Sequence, residues 1–182
     1  MRNATCLLLT ALVGLLLPAA THAAVPVTAS LATEGIQEDF PAICLDAKGA
    51  PWVAYVEWNG KADTLKIARK IGGSLKVAAT LAGPGIIHRP AIACDGSGAI
   101  WVVWSQVSDK DVMDLHARCV VDGKLSGKVL TLASSPAGDV FADAGTDAAG
   151  RVWVAWQSFR NGQSDIFARC YDPSAGEWGE EI

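Results

Sequence analysis

The sequence predicts an all-β chain made of repeated four-stranded antiparallel sheets, and three observations support this. The pattern Asp-x-x-Gly-x-x-Trp-Val-x, followed by Trp or Tyr, occurs three times at intervals of about fifty residues. Each copy holds four short apolar runs separated by turn-forming residues. Self-similarity at this period is typical of β-propeller blades, each of which is one such sheet. We predict about three blades in an incomplete ring, since closed rings have at least about four.

The first 23 residues have the pattern of a secretory leader. Arg2 is followed by an apolar stretch at residues 7–17 and by the small-residue signal Thr21-His22-Ala23. We expect cleavage between Ala23 and Ala24, which predicts a secreted or periplasmic protein with no remaining membrane span. An uncleaved anchor is the alternative, but the apolar run is short for one.

The three copies divide residues 24–182 into an outer strand at 27–33 and blades at 39–82, 88–132 and 140–182. The innermost strands are expected at 40–45, 89–94 and 141–146, each followed by the Asp-x-x-Gly turn. Asp can bond its own downstream backbone, and Gly accepts the positive φ of a tight hairpin. A calcium site is the alternative, but each turn offers one carboxylate and calcium needs six or more oxygens. The predicted turn residues are Asp46, Gly49, Asp95, Gly98, Asp147 and Gly150.

The second strands are apolar at nearly every position, which indicates that both sheet faces are covered. Aromatic residues three positions apart point to opposite faces of a strand, so each blade offers a ring to both of its neighbours. We expect the loss of Trp101 or Trp153 to damage the fold. The predicted packing residues are Trp52, Trp101, Trp104, Trp153 and Trp156.

Third strands are expected at 65–69, 114–118 and 165–169, and fourth strands at 75–80, 125–132 and, incompletely, 177–182. Arg69, Arg118 and Arg169 align at one place per blade, so they are not expected to converge on one ligand. Arg118 and Arg169 follow an Asp by four residues, which favours surface ion pairs of small value.

The outer strand 27–33 and the partial strand 177–182 would compete for one place in a closing blade. Either the natural protein is longer, or two copies join into a six-bladed ring through their open blade edges. The first is preferred, since the chain stops inside a strand.

The charge of the sequence argues against nucleic acid as a partner. Removing residues 1–23 takes away Arg2 and changes the formal net charge from −4 to −5, and no Lys or Arg run is present. Nucleic acid is therefore not an expected partner.

Four cysteines remain, which leaves three disulfide pairings open. We expect unpaired buried thiols, because Cys44 and Cys94 are one position out of register and should point to opposite faces.

The pattern Pro-x-Ile-x-x-Asp-x-x-Gly-x-x-Trp-Val-x-Trp, with Asp-Ile-Phe-Ala-Arg and Gly-Glu-Trp-Gly, resembles the repeats of secreted bacterial propellers of the WD40-like, TolB-like and sialidase-repeat kinds. The resemblance covers almost all of residues 24–182. It implies the propeller fold, which serves both enzymes and binding scaffolds.

Candidate ligand contacts lie in loops expected at one mouth of the channel. His88 and Arg89 are the most informative, because the repeat does not require them; solvated loop cations are the alternative. We identify no catalytic residue, metal ligand or cofactor motif. The full candidate set is Asp39, His88, Arg89 and Asp139, which precede or begin inner strands, with Glu57, Trp58 and Arg160, which end second strands.

The function that these observations favour is an exported, non-catalytic binding or scaffold module that recognises a glycan, a peptide or a protein. The alternative is a fragment of a propeller glycoside hydrolase or lyase whose catalytic residues lie in missing blades. A hydrolase needs two carboxylates facing each other across a cleft, whereas the candidate carboxylates here are scattered singly.

Overall fold

The computed structural model describes residue 31 and residues 33–182. The predicted leader and most of the predicted outer strand 27–33 lie outside these residues. Within the described part, the chain forms three four-stranded antiparallel sheets, and within each sheet the strands pair in the order of the sequence. No helix in this part is long and apolar enough to cross a bilayer.

The three sheets are propeller blades, as predicted. Blade 1 contains β1 (Gln37–Leu45), β2 (Pro51–Trp58), β3 (Asp63–Ile71) and β4 (Ser74–Gly85). Blade 2 contains β5 (Ile87–Cys94), β6 (Ile100–Val107), β7 (Met113–Val121) and β8 (Lys124–Ala133). Blade 3 contains β9 (Asp139–Thr146), β10 (Val152–Arg160), β11 (Gln163–Asp172) and β12 (Glu177–Trp178). The edge strand of blade 3 continues its pairing beyond β12, since Ile182 and Ala168 exchange two backbone hydrogen bonds.

Each Asp-x-x-Gly turn is closed by its own carboxylate, which also holds the following tryptophan. In blade 2, Asp95 Oδ1 accepts hydrogen bonds from the backbone of Ser97 (2.9 Å) and Ala99 (3.0 Å). Its Oδ2 accepts one from Trp101 Nε1 at 3.1 Å. Asp46 and Asp147 make the same set of bonds, with indole distances of 3.2 and 2.9 Å.

These hydrogen bonds favour the charged carboxylate. The bond from Trp153 is the largest of several that lower the pKa of Asp147 to about 2. The same arrangement therefore explains both why the turn forms and why a tryptophan stands six residues after the aspartate.

Turns of adjacent blades touch near the axis. Gly96 donates a backbone hydrogen bond to Gly150 at 2.8 Å. A Cβ atom on Gly150 would lie 2.6 Å from the Gly96 Cα atom. Since real Cβ atoms do not approach backbone so closely, glycine is required at this contact, and its φ of +78° also favours glycine.

Two apolar cores lie between the blades. We call the face of a blade that meets the preceding blade its leading face, and the face that meets the next blade its trailing face. Trp104 lies on the leading face of blade 2 and packs in the core shared with blade 1. Trp101 lies on the trailing face and packs in the core shared with blade 3. The prediction that each blade offers a ring to both of its neighbours is therefore confirmed for blade 2.

Arginines on the third strands have a different role from the predicted surface ion pairs. Arg118 Nη1 donates to the Leu81 carbonyl of blade 1 at 3.1 Å, and Arg169 Nη1 donates to the Leu132 carbonyl of blade 2 at 2.8 Å. Both therefore connect a leading face to the outer strand of the preceding blade. Arg69 is not their equivalent. It pairs with Trp52 across the sheet, whereas Arg118 pairs with Val102, one position after Trp101. The sequence alignment was one residue out of register in β3.

All four described cysteines are free and half-buried. Cys44 and Cys94 do lie on opposite faces of their own sheets, but these are the two faces that meet, and both thiols pack on the core between blades 1 and 2. Burial, with a smaller contribution from Cys94, raises the pKa of Cys44 to about 12. Burial also raises the pKa of Cys119, to about 11. Burial thus favours the protonated thiol at Cys44 and at Cys119.

Candidate functional site: the central cleft

The three innermost strands carry a β-bulge at the same position. The pairing register of β1 shifts between Asp39 and Ala42, and that of β5 shifts between His88 and Ala91. The pairing register between β9 and β10 shifts in the same way, since Ala155 of β10 pairs with Asp143 and Gln157 pairs with Val140. Bulges re-aim side chains and are over-represented next to binding sites.

One residue in each bulge has left-handed backbone geometry. The φ angles are +52° at Phe40, +35° at Arg89 and +56° at Phe141. Such geometry costs a non-glycine residue on the order of 1–3 kcal/mol and persists only where the surrounding structure enforces it. Strain repeated at one position in three blades indicates a site where the direction of the side chain matters.

These strained residues line a cleft along the axis of the incomplete ring. The cleft has a volume of about 650 Å³ and is formed by the same four positions of each innermost strand. We call it the central cleft. Its lining residues are Phe40, Pro41, Ala42, Ile43, Arg89, Pro90, Ala91, Ile92, Phe141, Ala142, Asp143 and Ala144.

Two ring faces and one guanidinium dominate the mouth of the central cleft. The Phe40 ring stacks on His88 with centroids 5.8 Å apart. The Arg89 guanidinium lies over the Phe141 ring, 5.6 Å from its centroid. Phe40 and Phe141 remain 43% and 53% exposed, so both rings and the cation are accessible to a ligand. Among the described lining residues, Asp143 supplies the only carboxylate.

The structure brings only part of the predicted site together. Arg89 lines the central cleft and His88 contacts Phe40 at its rim. Asp39 precedes the bulge and is exposed, but it does not line the cleft. Trp58, at the end of β2, is 43% exposed and also lies outside the lining.

Asp139 and Arg160 are corrected from ligand contacts to packing residues of blade 3. Asp139 is completely buried and accepts hydrogen bonds from the Ser135 backbone (2.7 Å) and from Trp156 Nε1 (3.1 Å). Arg160 Nη2 lies 3.3 Å from the same carboxylate. The Arg160 side chain also pairs with Glu181 and stacks 3.9 Å from the centroid of Phe167. Both side chains are therefore occupied within the blade.

Glu57 is likewise held by its own blade. It pairs with Lys66 at 2.5 Å and accepts a hydrogen bond from Tyr55 at 3.2 Å. The aromatic residue at the equivalent place in each blade donates a hydrogen bond within its own blade. Tyr55 donates to Glu57, Trp104 to Gln106 at 3.1 Å, and Trp156 to Asp139. The expectation that loop position alone would place Glu57 on a ligand is corrected in the same way.

Sequence reasoning missed Phe40 and Phe141. It treated both as the ordinary background of the repeat, from which Arg89 departs. Residue type gives no signal for the positive φ angles, since Pro41 favours extended backbone at Phe40, and Phe141 precedes an alanine. Within the described residues, no group of three or more His, Cys, Asp or Glu side chains is placed to hold a metal ion.

No protein-family model and no curated protein sequence matches this chain. Solved structures are similar in fold. A Hadza microbial sialidase has a TM-score of 0.59 at 13% identity, over 78% of this chain and 36% of its own. The α-L-arabinanase of Penicillium chrysogenum, solved with arabinobiose, has a TM-score of 0.58 at 13% identity, over 76% of this chain and 49% of its own.

The α-L-arabinofuranosidase of Fusarium graminearum has a TM-score of 0.57 at 9% identity, over 80% of this chain and 48% of its own. The chain thus spans between about a third and half of the length of these three structures. Identities this low show the fold alone. The described residues form consecutive blades of a β-propeller.

Proposed function

We propose that the central cleft binds a carbohydrate, as part of a propeller of the kind found in glycoside hydrolases. The observation that carries the proposal is the convergence of Phe40, Arg89 and Phe141 from three strained bulges. Flat aromatic faces pack against the C–H faces of sugar rings, and a guanidinium donates several hydrogen bonds in a fixed geometry. A peptide or protein ligand is less well supported, since the structures of similar fold are mainly glycosidases.

Arg89 gives the site a preference for anionic sugars. It is the only cation among the described lining residues, and guanidinium binds carboxylate through two parallel hydrogen bonds. The aromatic neighbour Phe141 supports the orientation of the guanidinium by a cation–π contact. We therefore place a sugar carboxylate at Arg89 and the ring faces of the sugar at Phe40 and Phe141.

The substitution Arg89→Gly tests this assignment without an expected loss of folding. Glycine accepts positive φ freely, so the free energy of unfolding should stay equal or rise. The affinity for an anionic sugar should fall at least tenfold. Isothermal titration with a sialylated trisaccharide and with arabinobiose measures the change. The matched control is Lys48→Ala, which removes an exposed cation from the turn that follows β1 and should leave binding unchanged. Equal binding by Arg89→Gly and the control would contradict the proposal.

Hydrolysis is the second candidate, and the glycosidases of similar fold favour it. Asp143 would supply one of the two carboxylates that such a reaction needs. Release of reducing sugar from arabinan, abolished by Asp143→Asn, would support this candidate. Binding without release would support the non-catalytic function.

The proposal also places the protein outside the cytoplasm. Its basis is the leader pattern of residues 1–23, which lies outside the described structure. Mass spectrometry of protein expressed in a bacterium and recovered from the periplasm should give Ala24 as the first residue. An intact Met1 terminus on membrane-bound protein would favour an uncleaved anchor instead.

A further inference from the structure

A second cleft lies between blades 1 and 2 and shares no lining residue with the central cleft. Its volume is about 500 Å³, within the range of about 300–1,000 Å³ that ligand pockets have. One wall is the outer strand β4 of blade 1, and the other is the leading face of blade 2 with the loop that joins β6 to β7. We call it the side pocket. Its polar lining includes Gln106, Ser108, Asp109, Asp114 and His116.

The side pocket carries negative charge. Asp109 and Asp114 line it, and none of its described lining residues is Lys or Arg. Within the described residues, neither carboxylate is in an ion pair. His116 adds no charge near neutral pH, because burial lowers the pKa of its imidazole. Arg118 lies beside the pocket, but its Nη1 donates to the Leu81 carbonyl at 3.1 Å. A cleft lined by one sign of charge attracts the opposite sign, so the side pocket favours a cation.

The interface between blades 2 and 3 shows what fills the equivalent space there. Arg160 places its guanidinium 3.9 Å from the centroid of Phe167. It pairs with Glu181 and with Asp139. Its Nε donates to Ser158 Oγ at 3.0 Å. The space is therefore occupied by a guanidinium that lies over an aromatic ring and pairs with two carboxylates.

Strand pairing places His116 where blade 3 has Phe167. His116 pairs with Trp104 across β6 and β7. Phe167 pairs in the same way with Trp156, the equivalent of Trp104. The opposite wall corresponds as well, since at both interfaces an equivalent arginine of the third strand donates to the outer strand of the preceding blade. The side pocket is therefore the same place in the repeat as the space that the Arg160 guanidinium fills.

The side pocket is open because blade 2 lacks that arginine. Ser108 stands where blade 3 has Arg160, four positions after the equivalent tryptophan. Val129 lines the pocket where blade 3 has Glu181, because the residue after each of them pairs with the equivalent alanine of the third strand. The two carboxylates of the side pocket stand at other positions, one of them in the loop after β6. Blade 2 thus has acceptors for a cation at this place but supplies no cation of its own.

We propose that the side pocket binds the guanidinium group of a ligand, with the cation beside Asp109 and Asp114 and over the His116 ring. Guanidinium pairs with a carboxylate through two parallel hydrogen bonds and stacks on flat rings, whereas ammonium is a point charge with a strongly held hydration shell. The ligand is either a small guanidine or the arginine side chain of a peptide, and the experiment separates these two sources. The inference is independent of the carbohydrate proposal, because the two clefts share no lining residue.

A nuclear magnetic resonance titration of the isotope-labelled full chain tests the proposal. Methylguanidine should shift the backbone amide signals of the loop after β6 and of β7, and methylammonium, which has the same charge, should bind several-fold more weakly. Tighter binding of acetyl-arginine amide than of methylguanidine identifies a peptide arginine, and equal or weaker binding identifies a small guanidine. The absence of shifts at these residues with both guanidinium probes would overturn the proposal. Equal affinity for methylammonium would overturn the choice of guanidinium.

Three variants locate the site. Asp114→Asn should raise the dissociation constant for methylguanidine about tenfold or more, the effect of losing one charge-assisted hydrogen bond. Asp122→Asn, the matched control, alters an exposed carboxylate in the turn between β7 and β8 and should bind as wild type does. Ser108→Arg supplies the arginine that blade 3 has and should abolish the shifts by filling the pocket from within. Equal binding by the two Asp variants, or unchanged binding by a Ser108→Arg chain that circular dichroism shows to be folded, would overturn the proposal.

Discussion

Replacing Trp101 by alanine should lower the free energy of unfolding by about 3–5 kcal/mol, in the range of buried large-to-small substitutions. The indole is 6% exposed and crosses from blade 2 to blade 3, where its centroid lies 4.4 Å from Tyr171 and 5.3 Å from Trp178. Its loss also removes the hydrogen bond to Asp95 at 3.1 Å. Urea unfolding followed by circular dichroism measures the change.

Trp153 is the matched control for this experiment. It has the same turn and the same hydrogen bond, to Asp147 at 2.9 Å, but its outer side faces no blade within the described chain. Trp153→Ala should cost about 1 kcal/mol, in proportion to the smaller area removed from water. Equal losses at both positions would show that the stability comes from the turn rather than from stacking between blades.

Replacing Asp139 by alanine should be almost as damaging as the change at Trp101. The carboxylate is completely buried, and its loss leaves the Ser135 amide, the Trp156 indole and the Arg160 guanidinium without their acceptor. A buried donor left without an acceptor costs about 1–3 kcal/mol, and two such donors remain, the Ser135 amide and the Trp156 indole. Arg160 keeps its bonds to Glu181, so we expect a total loss of about 3 kcal/mol in urea unfolding.

Two variants separate charge from hydrogen bonding at this position. Asp139→Asn keeps one acceptor in place and should cost roughly half as much as the alanine change, about 1–3 kcal/mol. Asp39→Ala alters an exposed carboxylate near the start of an innermost strand and should stay within about 0.5 kcal/mol of wild type. If Asp139→Ala were as mild as Asp39→Ala, the buried network would contribute little to folding.

Much of the fold could be predicted because its determinants are local. The Asp-x-x-Gly turn, the tryptophan six residues after its aspartate and the apolar second strand lie within about ten residues of each other, so the pattern is visible in the sequence. The register error at Arg69 arose where no turn residue fixed the alignment of the third strand. The role of Cys44 and Cys94 depended on which two faces meet, which is a property of the packed blades.

The central cleft was harder to predict for a related reason. Its side chains are directed by backbone geometry, and positive φ at Phe40 or Phe141 leaves little trace in residue type. Loop position favoured Asp139 and Arg160 as ligand contacts, yet neighbouring strands bury or occupy both. The distinction between a polar residue that faces a ligand and one that satisfies a buried tryptophan needs the three-dimensional arrangement.

Within the described residues, each sheet is built from four strands that are consecutive in sequence, and this has a consequence for how such proteins can change size. No hydrogen-bonded ladder within the described residues passes from one sheet to another, so a duplication or deletion of one whole unit leaves every remaining ladder intact. Units of this kind behave as a nearest-neighbour array, in which stability adds along the chain and folding can start at any hairpin. Gene duplication could therefore lengthen such a protein by one unit at a time, and each addition would need only a compatible flat surface on the unit before it.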